Sequence, residues 1–107
     1  MATNTDTALP PGPMIPVENF PENVRPLAAD LNALFREMPR LLHEGEEGRY
    51  ALIDSGKLLS TWDTYSDALQ AGYEKFGADG LFIVQKIDRR QYERFMTLLD
   101  RPTGKLP

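Results

Sequence analysis

The chain has 107 residues, with 12 Lys+Arg, 16 Asp+Glu, one His and no Cys, and its net charge is −4. That length holds one domain. The lack of Cys excludes a disulfide scaffold, a Cys-based zinc site, a thiol nucleophile and a CxxC redox pair, and one His excludes the two-His metal motifs.

Six of the nine prolines lie between Pro10 and Pro26, and residues 8–26 show no helical or strand period. Each proline fixes its own φ and pushes its predecessor into extended geometry. Residues 1–23 therefore read as an extended proline-rich arm, with the first eight residues disordered. Leu9, Met14, Ile15, Val17 and Phe20 give this arm more apolar character than a linker needs. Three roles are open. The arm lies along its own domain, binds another chain in polyproline-like form, or stays mobile without a contact.

Residues 24–101 read as a single α+β domain, and 102–107 as a loose tail. Leu27, Leu31, Leu34, Phe35, Met38 and Leu42 form one helical stripe. Pro26 suits the first turn and Asn23 is a candidate cap. Pro39 predicts a kink or break, with a last short turn to His43. Arg49 to Asp54 and Lys57 to Trp62 read as a hairpin, with Ser55 and Gly56 in the turn. Alternation divides Tyr50, Leu52 and Asp54 from Ala51 and Ile53, but neither strand is one-sided. A second helix follows, capped by Asp63 or Thr64 and stopped by Gly77, with Ala68 and Gly72 on its inner stripe. Leu81 to Ile87 is the most apolar run and reads as a buried third strand. Asp88 and Gln91 have capping-box spacing ahead of a last helix striped by Tyr92, Phe95, Met96 and Leu99.

The element order α-β-β-α-β-α predicts a two-layer α+β fold. Its three-stranded antiparallel sheet has order 2-1-3, with helices on one side.

Leu41-Leu42-His43-Glu44, Gly48 to Ile53, Gly56-Lys57, Asp63-Thr64, Ala68, Gly77 and Phe82 to Val84 form one pattern. Over residues 41–87 the chain resembles a group of small, uncharacterised bacterial ββαβ domain proteins. The resemblance implies the β–β–α–β unit. It implies no activity and carries over no functional residue.

Charge is uneven. Residues 1–85 hold six basic and thirteen acidic side chains, whereas residues 86–107 hold six basic and three acidic. Arg89, Arg90 and Arg94 open the last helix, where the dipole disfavours cations and where anions from a partner would be welcome. His43 beside Glu44, Glu46 and Glu47 matches no recurrent metal spacing. Ser55, Ser60 and Ser66 lack a nucleophile-elbow context. Asp54, Asp63 and Asp67 are explained by caps and turns. Gly77 to Gly80 is too short for a phosphate loop and lacks its Lys. Trp62 and Tyr50 read either as an exposed aromatic patch or as edge packing.

No catalytic, metal or cofactor residue is assigned. The sequence points to a non-enzymatic protein–protein interaction or adaptor module, cytoplasmic by default. Its candidate partner-binding residues are Met14, Ile15, Val17 and Phe20 on the arm and Arg89, Arg90 and Arg94 on the basic helix. Self-association along a sheet edge to a homodimer is part of that reading. The alternative is a nucleic-acid-associated regulator binding phosphates through the last helix. No membrane segment is expected.

Overall fold

A computed structural model describes residues 10–100. The expected disorder of residues 1–8 and the loose tail at 102–107 lie outside the described residues. The elements in order are α1 (Ala28–His43), β1 (Tyr50–Asp54), β2 (Lys57–Trp62), α2 (Tyr65–Phe76), β3 (Ile83–Lys86) and α3 (Arg89–Met96). Short 3-10 turns flank them at Val17–Asn19, Glu22–Leu27 and Thr97–Asp100. The fold is α+β, and its three-stranded antiparallel sheet has order β2-β1-β3. No helix of the described residues is long and apolar enough to cross a membrane.

The hairpin forms where turn chemistry dictates. Asp54 pairs with Lys57, leaving Ser55 and Gly56 as a two-residue turn, both at positive φ (53° and 74°). That is the backbone the primed type I turn needs to match strand twist. The Gly56 N–H donates to Asp30 Oδ1 at 2.7 Å, pinning the hairpin tip to the first turn of α1.

Helices cover both faces of the sheet, where the sequence suggested one. Ala51 and Ile53 of β1 join a buried cluster with Leu31, Leu34, Phe35, Met38 and Leu41 of α1. Leu52 points the other way and is equally buried, beneath α2, whose Ala68 is fully buried. Small residues let α2 approach closely. A Cβ on Gly72 would fall 2.3 Å from the Phe82 ring. With cover on both faces, β1 has no solvent side and so no clean alternation.

The caps of the later helices form as read. The Thr64 side chain accepts from the Asp67 N–H, and Gly77 (φ 85°) ends α2. Asp88 accepts from the Arg90 and Gln91 N–H groups. The Gln91 side chain completes no box and accepts from Gln85 instead. Asn23 is no cap. It lies inside the 3-10 turn that leads into α1, and α1 has no side-chain cap bond.

Pro39 does not break α1, which continues to His43. A proline offers no N–H to the carbonyl four residues before it, here Phe35. The arm fills this weakened turn, because the Gly12 N–H donates to the neighbouring Arg36 carbonyl at 2.8 Å. Only glycine fits there, since a Cβ would meet the Phe35 carbonyl oxygen at 2.5 Å.

The arm therefore belongs to the core. Ile15 and Phe20 are each 1% exposed. Phe20 meets Phe95 of α3 (ring centroids 6.0 Å), and Phe95 meets Phe35 of α1 at 5.1 Å. The Asn19 side chain donates to the Leu98 carbonyl at 2.7 Å, tying the arm to the turn after α3.

Two outcomes follow from this packing. In urea unfolding of the full chain, Phe20→Ala should cost about 3–5 kcal/mol and Ile15→Ala about 2–5. Met14→Ala and Val17→Ala, at exposed positions, should each stay within about 0.5 kcal/mol. Burial against Phe35 also pushes the Tyr92 phenol above its ordinary pKa of 10.0. A raised pKa means stability is intact below pH 10 and falls as pH rises through the folded value. Urea midpoints measured from about pH 9 to 11 should fall less for Tyr92→Phe than for the natural chain.

Candidate functional site

The four arm candidates separate into two pairs. Ile15 and Phe20 face the chain's own core, so they are not available to a partner. Met14 and Val17 are 58% and 51% exposed. The cause is a buried amide. The Asn32 side chain of α1 accepts from the Ile15 N–H and donates to the Ile15 carbonyl, both at 2.9 Å. This two-bond clamp mimics a strand partner and fixes the backbone at Ile15 on both sides. The neighbour Met14 is thereby held outward, and Val17, beyond Pro16, opens the 3-10 turn Val17–Asn19.

They border a cleft of about 600 Å³ between the arm and the start of α1, lined also by Pro16, Pro26, Ala28 and Ala29. A second cleft of about 460 Å³ adjoins it, sharing Met14, Ala29 and Asn32 and reaching Arg36, Lys57 and Leu58. Apolar side chains thus sit among three cations, Arg25, Arg36 and Lys57.

The nearby carboxylates are engaged elsewhere. Glu37 pairs with Arg40 at 2.9 Å, and Asp30 accepts from Gly56. Arg25 donates to the Phe20 and Glu18 carbonyls, which leaves its charge unneutralised. Among the described residues no carboxylate pairs with Arg25, Arg36 or Lys57. The rim thus carries three cations without an ion pair beside Glu37, whose partner Arg40 is shared with Glu44.

The three α3 arginines do not act as one group. All are exposed. The Arg89 N–H donates to Glu47 Oε2 at 3.1 Å, and its guanidinium Nε lies 3.7 Å from Glu47 Oε1. Arg90 and Arg94 have no ion pair among the described residues and share one helix face.

The remaining candidates have structural neighbours. Tyr50 and Trp62 are cross-strand partners, and both are half-buried. Tyr65 meets Tyr50 edge-on at 6.0 Å, and the Trp62 indole donates to Ser60. Arg49 ties the loop before β1 to β2, lying 3.3 Å from Glu46 and 3.4 Å from Asp63 and donating to the Thr61 carbonyl. His43 is exposed at the end of α1. Among the described residues no three His, Cys, Asp or Glu side chains gather as a metal site.

Sequence reasoning missed Arg25, Arg36, Lys57, Pro26 and Ala29. They belong to three separate segments, which the docking of the hairpin on α1 and the seating of the arm bring together. No family model, curated protein or solved structure matches the chain.

The clamp has a direct readout. Asn32→Ala strands a buried donor and a buried acceptor at Ile15, at about 1–3 kcal/mol for each group. Native-state hydrogen exchange should show the Ile15 amide opening far faster than in the natural chain. Exchange near the core rate would mean that the amide is held by something else.

Proposed function

We propose that the chain is a non-enzymatic protein-interaction module. Its contact surface is the pair of clefts around Met14, and its partner is a protein segment carrying apolar and acidic side chains. The observation that carries this reading is the clamp. A Met exposed to 58% flanks a backbone held on both sides by a buried Asn. A preordered apolar contact loses little conformational freedom on binding, so more of its burial appears as affinity. The unneutralised cations Arg25, Arg36 and Lys57 select the charge of the occupant. The arm acts as a structural strap that also shapes the docking cleft.

Random peptides displayed on phage and selected on the immobilised full-length chain test this. The winners should be rich in Asp, Glu and large apolar residues. Their affinity should fall at least about tenfold, the loss of a single good contact, for Met14→Asp or Arg36→Glu. Melting temperatures should hold, since both side chains are exposed. Winners without acidic residues, or an empty selection, would overturn the reading. A mobility shift of a 20-mer DNA duplex at about 50 mM salt, lost in Arg90→Glu with Arg94→Glu, would favour phosphate binding by α3 instead.

A further inference from the structure

We infer that two copies of this chain pair antiparallel along β3 to form a six-stranded sheet. This surface lies apart from the Met14 clefts and stands independently of that reading. The argument starts from the two edges of the sheet, which differ.

The β2 edge is protected. The Arg49 guanidinium donates to the Thr61 carbonyl, and the Thr61 hydroxyl donates to Glu46. The register slips at Leu52/Ile53, which bends β2. Lys57 adds a charge at one end. These are the devices by which sheet edges avoid pairing.

The β3 edge has fewer. It holds no proline and no irregularity in its register against β1. The Ile87 N–H donates to the Arg49 carbonyl at 2.8 Å, so Ile87 faces β1. Alternation then turns Gln85 and Ile83 toward β1 and the main-chain groups of Val84 and Lys86 outward. Among the described residues no hydrogen bond reaches those outward groups from beyond the sheet.

Its side chains are also unlike those of a solvated edge. The sequence suggests a buried strand, yet Ile83 and Val84 are only half-buried here, and Leu81 just before them is 85% exposed. Tyr73 of α2, 47% exposed, leans edge-on against Phe82 at 5.3 Å. The most apolar run of the chain thus lines an open hydrogen-bonding edge.

The strand is complementary to itself. A two-fold axis at Val84 sets its outward N–H and carbonyl against those of Val84 in the second copy. Phe82 then lies opposite Lys86, and Ile83 opposite Gln85, so no like charges meet. Lys86, the one charge on the strand, faces an aromatic ring rather than itself. Leu81 and Tyr73 of both copies border the seam. A second copy fits both the main-chain pattern and the side-chain pattern.

Sedimentation equilibrium of the full chain tests the pairing. The natural sequence should approach twice its 12.1 kDa mass within the micromolar range. Val84→Pro deletes an outward N–H and should leave a monomer with an unchanged far-ultraviolet spectrum. Leu81→Lys, at an exposed position that folding does not need, should weaken the dimer at least about tenfold, since both copies lose the contact. Hydrogen exchange in the natural dimer should protect the Val84 amide. A monomer at all concentrations would overturn the proposal, as would a dimer indifferent to both substitutions with Val84 exchanging freely. None of these readouts depends on the Met14 clefts, so either proposal can fail alone.

Discussion

Burial of β1 on both faces is the constraint on which the rest of the structure depends. Ala51 and Ile53 are fully buried on one side, and Leu52 is almost fully buried on the other. A strand so placed must be central and must carry helices above and below. The two edges, the crossover through α2 and the packing of α1 all follow. A chain with about 90 described residues has little apolar surface to cover two faces. The proline-rich arm supplies part of what α1 alone lacks, through Ile15 and Phe20.

The arm works because three polar devices seat it. Asn32 replaces a strand partner at Ile15, Gly12 reaches a carbonyl in the turn that Pro39 weakens, and Asn19 reaches across to Leu98. Each satisfies a group whose burial would otherwise be costly. Prolines suit this role. They keep the arm extended without needing hydrogen bonds of their own, and they lower the entropy lost on docking. The same seating that hides Ile15 and Phe20 leaves Met14 and Val17 outside, so stability and recognition share one segment.

Charge is organised locally, despite the acidic total. Arg40 lies between Glu37 and Glu44, Arg49 between Glu46 and Asp63, and Arg89 beside Glu47. The exposed pairs add little stability each, and together with the half-buried Arg49–Glu46 pair they settle which cations are left over. Among the described residues the remainder are Arg25, Arg36 and Lys57 around the arm, Lys75 over the Phe76 ring on α2, Lys86 on β3, and Arg90 and Arg94 on α3. A count of basic residues along the chain points to the last helix alone, whereas pairing in three dimensions leaves a second group of unpaired cations around the arm.

The sequence by itself determined the local elements. Turn residues at Ser55-Gly56, the caps Thr64 and Asp88, the stop at Gly77 and the stripes of α1, α2 and α3 all act over a few positions, so they are legible in one dimension. The strand order followed from the right-handed crossover that connects the second strand to the third. Only the tertiary structure decided which faces are covered. Leu52 and Ile53 look alike in sequence, and their fates depend on helices up to 25 residues away. The same holds for the arm. Ile15 and Met14 are adjacent apolar residues, and the buried Asn32 amide selects which one faces inward. The clefts were illegible because their lining comes from the arm, α1 and the hairpin, and a contact between distant segments leaves no periodic trace in any one of them. β3 was misread as buried for a related reason. Its composition records how apolar it is, whereas its place at the edge is set by the pairing of β1 with two neighbours.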